Sequence, residues 1–253
     1  MSGMIEAGFW GLVGGSALVV GAGIAWLVSL PQRLIAAIMA IGSGVLISAV
    51  AFDLMDEAFH QGGFDSTAIG FLGGAGIYTV ANVIVSRRGA QHRKRSGSNP
   101  DASQPHANTD SGAAIAIGAL LDGIPESVVI GVSLIGGGAV SAVTVAAVFL
   151  SNVPEGLSSA AGMKKAGRSA GYVFGVWGGI AAMSGIAAMV GNVALAGSSP
   201  EVIAAVTAVA AGAILAMLVD TMIPEATEST HEYTGLIAVV GFLLAFVLTK
   251  LDS

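Results

Sequence analysis

Two short segments of the chain place a proline and a glutamate inside stretches that are otherwise apolar. The first reads Leu-Asp-Gly-Ile-Pro-Glu-Ser over 121–127, and the second reads Leu-Ser-Asn-Val-Pro-Glu-Gly over 150–156. Pro125 and Pro154 each remove a backbone donor and free the carbonyl four residues earlier, so we expect them to interrupt their helices, unless they are kinks that serve packing alone. The glutamate after each proline would lie deep in hydrocarbon, where ionisable groups are rare and usually functional.

The spacing of the polar residues places several oxygen ligands on shared helix faces. Asp122 and Glu126 are four residues apart, and so are Ser151 and Glu155, so each pair shares one face of a helix. Asn152 adds an amide three residues before Glu155. Carboxylate, amide and hydroxyl oxygens suit hard divalent cations such as manganese, ferrous iron or magnesium. The two segments therefore predict a cation-binding site.

Further carboxylates occur in two other apolar stretches. Asp53 lies far enough inside its stretch to join the predicted site, whereas Glu57 either belongs to the cation pathway or faces water at a helix end. Asp220 and Glu225 lie in an apolar stretch nearer the C-terminus, and we assign both to the pathway. No lysine or arginine falls inside these stretches. Buried carboxylates without a basic partner must take up protons or bind cations.

The composition is that of an integral membrane protein. Of the 253 residues, 54% are hydrophobic and only 10% are charged, whereas about a quarter of the residues of a soluble domain are charged. A spanning helix needs about twenty mostly apolar residues. By that measure the sequence predicts one all-α transmembrane domain, residues 1–253, with eight spans. We place them at 7–30, 34–59, 66–86, 112–135, 139–163, 170–196, 200–227 and 234–251.

The basic residues predict how these spans are oriented. Nine of the ten lysines and arginines follow spans one, three and five, which share one side of the membrane if there are eight spans. The positive-inside rule makes that side cytoplasmic, so we expect a multi-pass protein of the cytoplasmic membrane with both termini extracytoplasmic. Residues 87–111 form a cytoplasmic polar loop whose composition is typical of disorder. We interpret its basic run, residues 93–95, as an orientation signal.

The chain also contains an internal repeat. Residues 44–58 align with residues 212–226 at a shift of 168 (44 to 212), and both copies carry a Gly near the start and end in a Glu-Ala pair. In the predicted topology the two copies cross the membrane in opposite directions, and so do the two proline-containing spans. We therefore expect a 3+2+3 inverted repeat, an arrangement typical of transporters with a site near the membrane midplane.

At the two proline-containing segments the chain resembles the ZIP family of divalent metal transporters. Helix four of that family typically reads His-Asn-x-Pro-Glu-Gly and helix five carries a similar motif; residues 122–127 and 151–156 are the matching segments. The resemblance implies a ZIP-like bundle of eight helices with a two-metal site, bridged by the glutamate of helix five. The residues that would line the transport site, carried over by position, are Asp122, Glu126, Ser151 and Glu155, with Asp53 or Met55. Asn152 and Glu155 would line the second metal position.

The departures from the family motif bear on the choice of metal. Asp122 and Ser151 stand where the family motifs have imidazole or amide side chains, and Gly123 has no ligating side chain. Imidazole suits zinc, so we expect a divergent member whose preferred metal need not be zinc.

These observations favour a divalent metal cation transporter of the zinc, iron or manganese class, not an enzyme. The metal is expected as transported substrate, and no cofactor is expected. The sequence has no GxxxxGK[ST] motif for ATP, so transport would be passive or ion-coupled. A proton-coupled carrier of a small organic cation and a non-transporting ZIP-like membrane protein stay open as alternatives. The expected partners are a divalent metal ion and the lipid bilayer, with no nucleic acid; a homodimer and a monomer both stay open.

Overall fold

The computed structural model describes residues 2–90, 93–96, 111–135 and 142–252, and within these ranges the chain is helical and contains no strand. The α-helices are α1 (Ser2–Leu27), α2 (Gln32–Ala49), α3 (Met55–Val85), α4 (Ser111–Ser133), α5 (Ala142–Lys165), α6 (Ala170–Leu195), α7 (Pro200–Met217), α8 (Ile223–Thr230) and α9 (Thr234–Asp252). Three π-helical segments, Val50–Leu54, Ser86–Ala90 and Leu218–Met222, continue α2, α3 and α7, and a 3₁₀ turn, His231–Tyr233, precedes α9.

Five helical stretches in the described part of the chain are long and apolar enough to cross a membrane. They are Gly3–Leu27, Gln32–Ala90, Ile115–Ser133, Ala170–Leu195 and Pro200–Leu251. The protein is therefore all-α with several candidate membrane-spanning helices, as predicted. Two of the stretches contain 59 and 52 residues, far more than the roughly twenty that one crossing needs. The fifth predicted span corresponds to α5, which is not among the five stretches.

Each of the two longest stretches is interrupted by a residue with a positive φ angle. Gly63, inside α3, has φ 70° and ψ −176°, a conformation that glycine adopts readily because it has no Cβ. His231, which follows α8, has φ 45°, a value that is uncommon for a residue with a side chain. The helical path therefore changes direction at Gly63 and again at His231.

Close contacts show how α1, α4, α5 and α6 run relative to one another. A Cβ on Gly14 of α1 would touch Val148 of α5, and further along both helices Gly21 lies against Val153, so α1 and α5 are parallel.

Helix α6 runs antiparallel to α1, because Gly8 of α1 faces Met189 whereas the later Gly15 faces the earlier Ala181. On α4, Gly123 faces Ile180 and Gly131 faces Ala188, so α4 is parallel to α6.

The remaining helices form two parallel pairs. Gly62 and Gly74 of α3 contact Ala204 and Val209 of α7, in that order. Ile41 of α2 contacts Gly241 of α9. Further along the same two helices, the rings of Phe52 and Phe246 are 5.0 Å apart.

Two antiparallel contacts join these pairs to the rest of the bundle. Lys165 of α5 donates to Gln32 at the start of α2, whereas Pro154 packs near Gly42. Helices α3 and α4 are antiparallel, because Tyr78 bonds to Asp122 and the later Ala90 lies near the earlier Gly118. Helices α1, α5, α7 and the part of α3 after Gly63 therefore run one way, and α2, α4, α6 and α9 run the other. The basic residues at the start of α2 and at the ends of α3 and α5 all lie at one end of the bundle, which we call the basic end.

Two of the π-helical segments coincide with the internal repeat. Val50–Leu54 and Leu218–Met222 are separated by the same 168 residues as the repeated sequence (50 to 218, 54 to 222). Gly44 and Gly212, the paired glycines of the repeat, each lie so close to a neighbouring helix that a Cβ would overlap a backbone carbonyl, that of Ala238 and that of Phe71 respectively. The repeat therefore extends from sequence to backbone conformation and helix packing.

The prediction that Pro125 and Pro154 interrupt their helices is wrong. Each proline lies inside a continuous helix, α4 or α5. A proline removes the hydrogen bond that its own nitrogen would donate, and its ring crowds the carbonyl four residues earlier, but α4 and α5 stay helical on both sides of their prolines. Pro154 is buried beside Gly42, where a Cβ would approach the proline ring to 2.9 Å, so at this position a proline and a glycine pack two helices together.

Candidate functional site

The carboxylates of α4 and α5 face the interior of the bundle. The buried polar residues of the two proline-containing segments, each at most 4% exposed, are Asp122, Glu126, Ser127, Ser151, Asn152 and Glu155. They therefore lie together on the inner faces of α4 and α5, as their spacing predicts. Apolar residues such as Ile124 and Leu150 occupy the outer faces and are exposed, so each of these helices separates a polar inner face from an apolar outer face.

Asp122 is held by two side chains from other parts of the chain. Arg93 donates from Nε to Oδ2 at 2.8 Å and from Nη2 to Oδ1 at 2.7 Å, a two-point pairing that fits the planar guanidinium to a carboxylate. Tyr78 donates from its hydroxyl to Oδ1 at 2.6 Å and accepts from Arg93 Nη2 at 3.0 Å. Burial works against the charge of Arg93, but Asp122 holds the pKa of its guanidinium above the ordinary value, so Arg93 is cationic here.

Lys94 joins the two proline-containing helices. Its Nζ lies 2.9 Å from Oε1 of Glu155 and 3.3 Å from Oδ2 of Asp122, and the lysine is 3% exposed. The expectation that the interior carboxylates lack a basic partner is therefore wrong. The basic residues of these helices lie near helix ends, as Arg33 of α2 and Lys165 of α5 do, but Arg93 and Lys94 reach the carboxylates from the polar connection between α3 and α4.

The backbone around Arg93 and Lys94 is bonded to α5. Ser159 donates to the carbonyl of Arg93 at 2.6 Å, and Ser158 donates to the carbonyl of Lys94 at 2.9 Å. Lys165 donates to the carbonyl of Ser96 at 2.5 Å. Residues 93–96, which we call the docked segment, therefore lie along one face of α5. The prediction of a disordered loop over residues 87–111 is wrong for these four residues and for residues 87–90 and 111, which are helical; residues 91–92 and 97–110 lie outside the described residues.

Glu225 fixes the far end of the docked segment. Its Oε1 accepts hydrogen bonds from the backbone nitrogen of Ser96 at 2.9 Å and from the Ser96 hydroxyl. The Ser158 hydroxyl lies 2.9 Å from the same oxygen and shares its one hydrogen between Glu225 and the carbonyl of Lys94. Glu225 has no exposed surface. Three residues later, Glu228 pairs with Arg95 at 2.9 Å in a partly exposed position. The predicted pathway residue Glu225 thus binds the docked segment at the basic end of the bundle.

Glu126 differs from its two neighbours in having no basic side chain in direct contact among the described residues. It is 1% exposed, and the amide of Asn152 is close enough to interact with its carboxylate, although neither carboxylate oxygen makes a hydrogen bond of standard geometry in the described part of the chain. It lies close enough to Glu155 and Lys94 to interact with their charges. Burial of an unpaired carboxylate costs free energy unless the group is protonated or paired. Of the three carboxylates, Glu126 is the one to which the docked segment donates no hydrogen bond among the described residues.

The other two predicted ligands of α5 bond to backbone carbonyls. Ser151 donates to the carbonyl of Val148 at 2.9 Å, within its own helix. Asn152 donates to the carbonyl of Gly14 on α1 at 3.1 Å. Because each side chain uses a hydrogen as donor, the oxygens of Ser151 and Asn152 keep acceptor capacity for a cation.

The remaining predicted residues are spread along the bundle. Asp53 is half-buried in the π-helical segment after α2, and Asp220 is exposed in the one after α7, where it accepts from Asn82 at 3.3 Å. Glu57 is exposed and accepts from Gln61 at 3.0 Å. Met55 packs partly against the core cluster that includes Met222, so it serves packing.

The arrangement is an anionic site that holds two cationic side chains. Within the described ranges, no three His, Cys, Asp or Glu side chains are close enough together to form a metal-binding group. An ammonium group instead lies between Asp122 and Glu155. This geometry can bind a positive charge in the interior of the helix bundle, and amide, hydroxyl and carboxylate oxygens are available as acceptors.

Sequence reasoning missed the residues that neutralise the site. Tyr78, Arg93, Lys94, Ser96 and Ser158 were not predicted as site residues, although all five contact its carboxylates. The sequence signal for two of them was the basic run of residues 93–95, which the orientation of the chain in the membrane explained equally well.

The chain matches no protein-family model and no curated protein sequence.

Proposed function

We propose that the protein is a transporter of divalent metal cations that carries them through the site formed by α4 and α5. Asp122, Glu126 and Glu155 are the residues that would bind the cation, with Ser151 and Asn152 as neutral oxygen ligands, after a rearrangement that brings the three carboxylates closer together than they are with Lys94 between Asp122 and Glu155. The chain would act as a secondary transporter and not as an enzyme, in the cytoplasmic membrane of the cell.

One observation carries this proposal. Asp122 lies inside the apolar helix α4 and Glu155 is buried on α5, and the positive charges that pair with them come from Arg93 and Lys94, which belong to neither helix. Carboxylates at such depth require compensating charge. The two side chains supply two positive charges, and one divalent cation would supply the same. The site is thus complementary in charge to a divalent cation whenever the docked segment is away.

The direction of the helices supports an eight-span topology for this transporter. The two longest apolar stretches each contain a turn, at Gly63 and at His231, and with α5 they would bring five stretches to eight crossings. The repeated sequence begins in α2 and in α7, and these helices run in opposite directions, which supports a 3+2+3 inverted repeat. In this topology the basic end is cytoplasmic by the positive-inside rule, and the termini are extracytoplasmic.

The chemistry of the site also supports a second candidate, a carrier of small organic cations. The groups that contact Asp122 and Glu155 are a guanidinium and an ammonium, the head groups that such substrates carry. The two candidates differ in the ligands they need, because a metal requires the oxygens of several side chains within bonding distance of one point, whereas an ammonium needs only acceptors at hydrogen-bond distance.

Uptake by proteoliposomes containing the purified full chain tests the proposal. The panel consists of zinc, manganese, ferrous iron, cadmium and magnesium, followed by a diamine and a guanidine compound. The variant Glu155→Gln removes one carboxylate with little change of shape, and Glu201→Gln is the matched control, because Glu201 is exposed at the start of α7. We expect uptake of at least one metal, lost in Glu155→Gln and retained in Glu201→Gln.

Two outcomes would contradict the metal proposal. Uptake of the diamine or guanidine compound but of no metal, with the same dependence on Glu155, would favour the organic-cation carrier. Failure to transport or bind any cation, measured by uptake and by equilibrium dialysis, would leave a non-transporting membrane protein.

A further inference from the structure

The docked segment is mostly buried and is held by hydrogen bonds along nearly its whole length. Of its four residues, Arg93, Lys94 and Ser96 are at most 3% exposed. Its backbone carbonyls at 93, 94 and 96 accept bonds from side chains of α5, and its backbone nitrogen at 96 donates to Glu225. A second hydroxyl contact joins Ser96 to Gln32 at 2.5 Å. Such a set of bonds fixes both the position and the direction of the segment.

The side chains of the segment match the charges of the surfaces that they contact. Arg93 pairs with Asp122, Lys94 with Asp122 and Glu155, and Arg95 with Glu228. The first two pairs are buried, and the third is partly exposed at the rim. Buried pairs of this type depend strongly on both partners, because loss of one leaves an uncompensated charge.

The docked segment and a cation compete for the same place. Lys94 Nζ lies between carboxylate oxygens of Asp122 and Glu155, which is where a cation bound by both would have to lie. Electrostatic repulsion and the lack of space exclude the two from being there together. A cation can therefore bind both carboxylates only after Lys94 has left.

We propose that residues 93–96 are an autoinhibitory internal ligand that closes the cation site from the basic end of the bundle. Release of the segment exposes Asp122 and Glu155 and opens the route past Glu225; return of the segment displaces the cation and closes that route. The identity of the competing cation rests on the proposed function, whereas the docking and release of the segment do not.

A thiol reporter under the segment tests the proposal directly. The chain has no cysteine, so Ser158→Cys introduces one thiol at a position that has no exposed surface and contacts both Lys94 and Glu225. The rate at which a maleimide labels this thiol in the purified full chain reports how often the segment leaves. Arg93→Gln with Lys94→Gln removes the two buried charges, and Arg87→Gln with Arg88→Gln is the matched control.

The control changes the net charge equally, because Arg87 and Arg88 are two exposed basic residues at the same end of the bundle. We expect labelling to be about tenfold faster or more when Arg93 and Lys94 are replaced, in line with the loss of charged hydrogen bonds, and unchanged in the control. Equal rates in the two double variants would overturn the proposal.

A second measurement keeps Arg93 and Lys94, and with them the buried charges of the segment, in place. The hydroxyls of Ser96 and Ser158 contact the same oxygen of Glu225, so Ser96→Cys with Ser158→Cys places two thiols close enough to be oxidised to a disulfide that locks the segment in place. We expect oxidation to block maleimide labelling, and reduction to restore it. Failure of the pair to form a disulfide under oxidation would contradict the docked position.

Manganese and zinc, added as chloride salts to the Ser158→Cys protein, separate the two proposals. Faster labelling with either metal supports competition between the cation and the segment. Labelling that responds to Arg93→Gln with Lys94→Gln but to neither metal would retain the internal ligand and contradict the proposed metal function. Labelling that responds to neither the substitutions nor the metals would overturn the internal ligand itself.

Discussion

Glu57 and Glu225 follow their π-helical segments by the same number of residues, yet their environments are opposite. Glu225 has no exposed surface and accepts three hydrogen bonds from Ser96 and Ser158. Glu57 is exposed, and Gln61 of the same helix donates to it. Since α2 and α7 run in opposite directions, the two glutamates lie toward opposite ends of the bundle. The glutamate at the basic end is thus buried, whereas its counterpart at the other end is exposed.

This difference predicts unequal effects of the same substitution. Glu225→Ala removes the acceptor for three hydrogen bonds and should release the docked segment, so that trypsin cleaves after Arg93 or Lys94 about tenfold faster. Glu57→Ala should not change this rate. Mass spectrometry of the digested full chain identifies the cleavage sites, and cleavage after the exposed Arg88 is the internal reference. Equal protection in the two variants would contradict the role of Glu225.

Tyr78 should stabilise the docked arrangement by its hydroxyl alone. Tyr78→Phe removes the bonds to Asp122 and Arg93 and leaves the buried ring in place. We expect a loss of about 1 kcal/mol in the free energy of unfolding, measured by thermal unfolding in detergent. Tyr233→Phe is the control, because Tyr233 is 68% exposed and should leave the transition unchanged. A Tyr78→Phe transition that coincides with that of the unsubstituted protein would contradict this account.

The repeated glycines should be required for helix packing. A Cβ at Gly212 of α7 would overlap the carbonyl of Phe71 on α3, and one at Gly44 would overlap that of Ala238 on α9. Alanine at either position should therefore force the helices apart and destabilise the protein by about 1–3 kcal/mol.

Gly76 provides the control for these two substitutions. It lies on α3 with nothing within 4 Å of an added Cβ, and alanine there should be neutral or slightly stabilising because alanine favours helix. Thermal unfolding of the three variants in one detergent gives the comparison. Equal transitions for Gly76→Ala and Gly212→Ala would show that backbone contact between α3 and α7 does not limit stability.

The proposed eight-span topology predicts which surface residues share a side of the membrane. Arg33, Arg88 and His60 are all exposed, and single replacements by cysteine give reporters in a chain that has none of its own. A membrane-impermeant maleimide should label His60→Cys in intact cells, whereas Arg33→Cys and Arg88→Cys should react only in inverted vesicles. Labelling of all three from one side would refute this topology.

The positions of the buried carboxylates could be predicted because they follow from local rules. Asp122, Glu126 and Glu155 lie inside apolar helices, and helical periodicity alone assigns each to a face. Their burial in the structure agrees with that reasoning. The continuity of the helices through Pro125 and Pro154 could not be read in the same way, because the packing of neighbouring helices overrides the intrinsic preference of proline.

The docked segment could not be predicted because its contacts are distant in the sequence. Arg93 and Asp122 are 29 residues apart, and Ser96 and Glu225 are 129 apart. Composition describes residues 87–111 correctly as polar, but it carries no information on where a basic segment binds. The sequence shows a basic run and a set of carboxylates in apolar stretches, which are complementary in charge. Only the three-dimensional arrangement shows that they pair with each other.

The π-helical segments have a consequence for the orientation of side chains. A π segment adds one residue to a helical turn, so every side chain beyond it is rotated by about 100° relative to an uninterrupted α-helix. The spacing of four between Asp53 and Glu57 therefore does not place them on one face. Deletion of a single residue from Leu218–Met222 would restore α-helical register and swing Glu225 through more than a quarter of a turn, with an axial movement of only about 1.5 Å. The direction in which Glu225 points is thus set by the register of the helix beyond the π-helical segment.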